Sequence, residues 1–264
     1  MKVIYWNSRG MGNSKTRLVF KKLCSINKPD VVFISEPMIA LNKINPLYWS
    51  PLNLKPFIEN DRGSLLPNLW GACRDDISPQ IISNSSQQIS ISLLQNGQHA
   101  FICAVYAHTN YLMRRTLWTD ILDHISANQG PWCCIGDFNS VLGANECNGA
   151  YLPNRTACED FKNFSNVGRL HHILTRGAEF TWSNRRRGLA HTQKRLNITM
   201  CNDTWMHNWQ QTYCCTLTRS SSDHHPLLLG FSDEIPRNQA QFRFHRMWLK
   251  HEGLRGVIEN HWAN

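Results

Sequence analysis

The sequence has ten cysteines but no Cys-x-x-Cys spacing anywhere. Zinc ribbons and thiol-redox sites need paired sulfurs at that short interval, so neither is expected. Cys133/Cys134 and Cys214/Cys215 are directly adjacent, and the twelve histidines form no zinc pattern with them. No secretory leader is expected, because Met1–Trp6 runs straight into a strand-like segment. The thiols therefore read as small buried hydrophobes in a reducing compartment, nuclear or cytoplasmic, and not as a disulfide framework. No apolar run reaches the roughly eighteen residues of a membrane-spanning helix, so no membrane partner is expected. Internal repeats and low-complexity tracts are missing too, which argues against solenoids and general disorder. Acidic residues are scarce, 19 against 28 Lys and Arg, and the net charge is +9. That excess suits a polyanionic partner, since each neutralised phosphate releases a counterion; a merely basic soluble surface is the alternative.

What is present points to a globular α/β protein. The 264 residues are 42% hydrophobic and 10% aromatic, enough to bury a core without staples. Lys2–Trp6 reads as a strand and Arg9–Ser14 as a Gly-rich turn, with Ser14 capping a helix over Lys15–Asn27. Val31–Ser35 is an unbroken apolar run, as a strand buried on both faces requires. Ile81-Ile82, Ile89–Leu94 and Ala100–Tyr106 are β-rich, and Asn96-Gly97 between the last two predicts a type I′ hairpin. Leu112–Asn128 carries Leu117, Trp118, Ile121, Leu122 and Ile125 on one helical stripe. Trp132–Ile135 predicts another buried strand and Cys158–Val167 a helix. Phe180–Ser183 and Leu227–Phe231 are strands, and Arg195–Cys201 is a strand or helix edge. Asn53–Ser78 shows few strand signals, so a shortened sheet is expected there. Residues 1–231 read as one domain; Ser232–Asn264 reads as a polar, basic linker that turns helical from Met247.

Polar clusters sit where four apolar runs end. Asn7 follows the first strand, Glu36 the second, and Asp137 and Asn139 follow Trp132–Gly136; Asp223 and His224 precede the last strand. Strand ends of layered α/β folds project side chains into a cleft while the backbone stays fixed. Taken singly, each has an ordinary explanation as a turn residue, a cap, a solvated strand end or a surface histidine. Together they suggest one site.

The strings Trp6-Asn7-Ser8-Arg9-Gly10, Ser35-Glu36-Pro37, Val105-Tyr106-Ala107, Gly136-Asp137-Phe138-Asn139 and Ser222-Asp223-His224-His225-Pro226 occur in that order. They resemble the successive signatures of the endonuclease/exonuclease/phosphatase (DNase I-like) family. Phe180–Asn184, Arg219–His224 and Phe242–Trp248 are similar to the endonuclease segment of plant LINE-type non-LTR retrotransposons. The resemblance covers about Met1–Trp248 and implies a four-layer α/β sandwich, two packed mixed sheets flanked by helices. It implies a Mg²⁺- or Mn²⁺-dependent endonuclease that nicks DNA, with a reverse transcriptase fused downstream.

The residue types suit that chemistry. Glu36 is an oxygen ligand for a hard divalent cation, with Asp223 by resemblance and Asn7 completing or supporting the shell. Asp137 would orient and activate the attacking water, Asn139 would donate to the phosphate, and His224 would hold it. Tyr106 by resemblance donates its phenolic hydroxyl, or is a core tyrosine at a strand end. Arg185, Arg186 and Arg187, with Lys194 and Arg195 nearby, would track a DNA backbone or form a solvated turn. Trp182 would stack on DNA or sit in the core. One departure matters. Asn197 stands where the resemblance expects an Asp beside the histidine, and a neutral partner stabilises an imidazolium less than a carboxylate does. A catalytically impaired nucleic-acid-binding remnant is therefore an alternative, and a small-substrate phosphatase a third.

Overall fold

A computed structural model describes residues 1–233 together with Gly253, Leu254, Gly256, Glu259 and His261. The chain divides into Met1–Asp233 and Glu234–Asn264. In the second unit Leu254, Gly256, Glu259 and His261 are helical. The linker expected from Ser232, the helix from Met247 and the Phe242–Trp248 string fall almost wholly outside the described residues.

The first unit opens with β1 (Lys2–Asn7), α1 (Ser14–Asn27) and β2 (Val31–Ser35). The cap of α1 is Asn13, whose side chain accepts from Lys15 N, one residue ahead of the expected Ser14. Asparagine and serine cap about equally well, so sequence alone does not rank them. The stretch expected to be short of strands holds two, β3 (Lys55–Glu59) and β4 (Leu69–Cys73). Pro56 and Gly71 blur their pattern. A proline is tolerated here because β3 is an edge strand with a bulge between Pro56 and Ile58. Gly71 leaves room for the Phe57 ring, which a Cβ would meet at 2.7 Å.

Next come β5 (Gln80–Asn84), β6 (Gln88–Gln95) and β7 (Gln98–Tyr106). Asn96 and Gly97, at φ 51 and 78, make the turn that their side chains predict. Then follow α2 (Tyr111–Ala127), β8 (Trp132–Asp137), β9 (Cys147–Asn148), α3 (Arg155–Val167), β10 (His171–His172) and β11 (Thr175–Arg176). The chain continues through β12 (Trp182–Ser183), β13 (Gln193–Lys194), β14 (Asn197–Cys201), α4 (Asp203–Asn208), β15 (Tyr213–Thr216) and β16 (Leu227–Gly230).

Among the described residues these strands form two large mixed sheets and one small one. The orders are β11-β15-β16-β1-β2-β4-β3, β10-β14-β8-β7-β6-β5 and β12-β13-β9. Alternation along each strand then sets four layers. Val3, Tyr5, Val31 and Phe33 face Ile89, Ile91, Ile102 and Ile135 between the large sheets. The opposite faces carry Ile4, Trp6, Val32 and Ile34 against Phe20 and Leu23 of α1. On the other side Val105, Cys134 and Ile198 pack on Trp118 of α2 and Phe161 and Phe164 of α3. Trp118 stacks on Phe164 with ring centroids 4.6 Å apart. The expected four-layer α/β sandwich is the observed one. All ten cysteines are free, and no helix among the described residues is long and apolar enough to cross a membrane.

Candidate active site

Strand register brings the polar ends together. Asn7 pairs with Ser35 across β1 and β2, which are parallel, so Glu36 emerges beside Asn7. Tyr106 pairs with Asp137 across β7 and β8, and Asn197 pairs with Asp137 across β14 and β8. Tyr106, Asp137 and Asn197 thus form one row across the second sheet. His224 comes three residues before β16, the antiparallel neighbour of β1. Glu36 and Asn139 have positive φ, 49 and 46, as each chain turns sharply off its strand.

Gly136 lets β8 lie close to β7 just before Asp137. A Cβ there would sit 2.0 Å from the Val105 carbonyl oxygen, a clash with backbone that no rotamer relieves. The glycine of Gly-Asp-Phe-Asn is fixed by that approach.

Asn7 Nδ2 donates to Glu36 Oε1 at 2.7 Å and to Asp137 Oδ2 at 3.1 Å, tying the two sheets together through one amide. Tyr106 Oη donates to the same Glu36 Oε1 at 3.0 Å. Burial, with the Glu36 charge adding to it, pushes the Tyr106 phenol well above its ordinary value, so it remains a donor. Asp137 Oδ1 accepts from Asn139 N at 3.1 Å, and Asn139 Nδ2 donates to Ala107 O at 2.8 Å. Asp137 is 1% exposed, and burial holds its carboxyl above the usual aspartate range while the neighbouring His224 opposes that shift.

His224 lies between two partners. Its Nδ1 is 2.9 Å from Asn197 Oδ1, and its Nε2 is 3.7 Å from Asp137 Oδ2. Asn197 Nδ2 donates to His225 O at 2.8 Å, which leaves Oδ1 as the atom facing the ring. That oxygen accepts only, so His224 Nδ1 carries a proton.

Ligand atoms of Glu36, Asp137 and His224 all lie within 4.8 Å of one another. Asn7 Oδ1, buried beside them, has no hydrogen-bond partner. Carboxylate oxygens plus a spare amide oxygen fit a hard divalent cation, which binds through one or two carboxylates and keeps several waters. Glu36 is the best-placed ligand: two donors hold Oε1, and its side chain is 19% exposed.

No protein-family model matches the chain, and no curated protein does. Solved structures do. The 3′ phosphatase NExo from Neisseria, bound to a product DNA hairpin, is similar at 16% identity and TM-score 0.67, over 88% of this chain and 99% of that one. The endonuclease domain of TRAS1, a telomere-specific non-LTR retrotransposon, is 13% identical at TM-score 0.63, over 86% and 96%. An AP endonuclease from Archaeoglobus fulgidus is 12% identical at TM-score 0.64, over 88% and 99%. The chain has the DNase I-like fold of the endonuclease/exonuclease/phosphatase family.

In this DNase I-like framework the remaining candidates fall around the same centre. Asp223 Oδ2 pairs with Arg9 Nη1 and accepts from Trp182 Nε1 at 2.9 Å. Arg9 also lies 3.6 Å from Glu36 Oε2, so its guanidinium stands between the two carboxylates expected to face a cation. Although burial works against it, Asp223 holds Arg9 above the ordinary arginine value. Trp182 is half-buried, with its ring centroid 6.5 Å from that of His224. Arg185 donates to the carbonyls of Ser220 and Ser222 and so fastens the segment leading to Asp223. Arg186 and Arg187 are exposed beside it.

Three contributors escape a reading of the sequence. Arg9 reads there only as the start of a Gly-rich turn, although its side chain joins Glu36 and Asp223. Thr181 Oγ1 accepts from both Leu196 N and Asn197 N, at 2.9 and 2.8 Å, and so sets where Asn197 sits. Trp182 is expected to stack on DNA or to sit in the core, but its indole anchors Asp223. The Phe-Thr-Trp-Ser string marks both Thr181 and Trp182, without revealing what they bond.

Proposed function

We propose that this chain is a divalent-cation-dependent phosphodiesterase that nicks DNA, the endonuclease segment of a retrotransposon-derived protein. The supporting observation is the convergence of Glu36, Asp137 and His224 within 4.8 Å, flanked by Asn7, Tyr106 and Asn139. Glu36, with Asp223 nearby, would hold Mg²⁺ or Mn²⁺. That cation would supply charge neutralisation to the phosphate and its leaving group.

The chain's own residues do the rest. Asp137, buried and held by Asn7 and Asn139, orients a water and takes its proton as it attacks phosphorus. The second hydrogen of Asn139 Nδ2, the first being held by Ala107 O, would donate where negative charge grows, and the Tyr106 hydroxyl would do so on turning from Glu36. His224 Nε2 holds the phosphate as an imidazolium donor, oriented through Nδ1 by Asn197. Arg185, Arg186 and Arg187 lie beside the site and would meet the DNA backbone. A downstream reverse transcriptase is the partner that the Phe242–Trp248 string implies.

Asn197 favours a second reading. A neutral amide 2.9 Å from His224 gives the imidazolium less support than a carboxylate, as in a catalytically impaired nucleic-acid-binding remnant.

Supercoiled plasmid relaxed by single nicks in Mg²⁺ tests the first reading. Glu36→Ala should lower the rate by roughly 10³, the worth of several kcal/mol of charge stabilisation. Nicking that persists in both the variant and chelator refutes the cation-dependent assignment.

A further inference from the structure

A cavity of about 370 Å³ adjoins the catalytic cluster on the side of Asn139. At about 30 Å³ per water it has room for roughly a dozen, near the small end of ligand sites. No acidic residue lines it. Arg114, Lys194 and the first turns of α2 and α3 do.

Arg114 is the unusual member. It is 4% exposed, and its Nη1 donates to the carbonyls of His108 and Thr109 at 2.9 and 3.0 Å. Its neighbour Arg115 pairs with Asp160 at 2.8 Å, whereas Arg114 has no carboxylate partner among the described residues. Asp137 and Asp160 act on it only through space, so burying this cation is costly, and carbonyl dipoles offset only part of that cost. Lys194 also lines the cavity without an ion pair among the described residues.

The two helices add to the same field. Asn110 caps α2 through Leu112 N and Asn154 caps α3 through Ala157 N. Neither first turn carries an acidic side chain, so both positive helix ends face the cavity uncompensated. Two helix ends, a buried arginine and a lysine converge on one space that shares Asn139 with the reaction centre.

We infer that this cavity is a phosphate-binding subsite which, given the nicking reading above, holds the phosphodiester next to the scissile one. Arg114 supplies the fixed charge from below and Lys194 closes over the anion from β13. Asn139 then lies between the two phosphates, so seating the neighbour sets the position of the bond to be cut. The subsite fixes register along the strand without reading any base.

The test measures binding of duplex oligonucleotides in chelator, with one phosphate at a time replaced by uncharged methylphosphonate. In the wild-type chain one position flanking the nick should weaken binding roughly tenfold, as losing a hydrogen bond to a charged group does. Lys194→Gln should bind unmodified DNA about as weakly and lose nothing more at that position. Equal losses in wild type and Lys194→Gln at every position overturn the proposal. Arg114→Gln should behave likewise, and the half-exposed Lys194 keeps the test sound if that buried change unfolds the chain.

A second arm titrates inorganic phosphate and dAMP without DNA, followed by amide shifts. Phosphate binding lost in Lys194→Gln, with no coupling to any DNA position, assigns the cavity to free phosphate and overturns its role on the strand. A wild-type chain that ignores duplex DNA but binds phosphate through Lys194 refutes the nicking reading and leaves the subsite standing.

Discussion

Asn197 Oδ1 lies 2.9 Å from His224 Nδ1, and the Asn197 amide nitrogen is committed to His225 O, so the histidine has a neutral partner held in one orientation. In the uncharged ring with Nδ1 protonated, Nε2 is an acceptor; it donates to a phosphate only as imidazolium. Asn197→Asp keeps the geometry and adds the charge that favours that form. Nicking at neutral pH should rise roughly tenfold, since a charge-assisted bond is about twice as strong as a neutral one. An unchanged rate would show that asparagine serves equally well, and would remove the reason for regarding this chain as impaired.

Asp137 carries a cost in stability. Burial raises its carboxyl above the aspartate range, so the folded state binds the proton more tightly than the unfolded one. Stability from this group is present at low pH and is lost as pH rises through the raised folded value. Asp137→Asn should therefore abolish nicking and raise Tm at pH 7, with the gain shrinking as the pH falls. Wild-type nicking should fail on the acid side above the ordinary aspartate value of about 3.9. A variant less stable than wild type at neutral pH contradicts this account.

Arg9 would compete with a cation held, as proposed, by Glu36 and Asp223. Arg9→Gln removes the positive charge lying 3.6 Å from Glu36 Oε2. The Mg²⁺ concentration for half-maximal nicking should fall several-fold, because a like charge near the ligands opposes binding. A higher requirement would mean that Arg9 chiefly holds the carboxylates in place.

Arg186 and Arg187 are exposed and free of the structural bonds that tie Arg185 to Ser220 and Ser222. Replacing both by glutamine should reduce the slope of log affinity against log salt by about 1.8, or roughly 0.9 for each phosphate no longer neutralised. Tm should stay unchanged. A salt slope identical to wild type would place these arginines away from the DNA.

The strands that carry the site are legible because buried strands leave dense signals. Val31–Ser35 and Trp132–Asp137 are apolar runs ending at or just before a carboxylate, and Asn96-Gly97 marks its hairpin by the φ values it permits. β3 and β4 escape notice for the converse reason. Pro56 and Gly71 are poor strand formers, and only an edge position and a neighbouring Phe57 ring make them acceptable. The cap of α1 shifts by one residue because Asn13 and Ser14 are near equals.

The sequence by itself determined the α/β class and the set of polar strand ends, since apolar runs are local properties of the chain, and its family resemblance implied the four layers. Which of those polar groups touch was decided only by the tertiary structure. Asn7 bonding to both Glu36 and Asp137 depends on two sheets meeting at one register, and Arg9 joining Glu36 to Asp223 depends on β16, β1 and β2 lying side by side in one sheet. Such bonds link positions up to 214 residues apart, and no local pattern encodes a distance between side chains that only packing brings together.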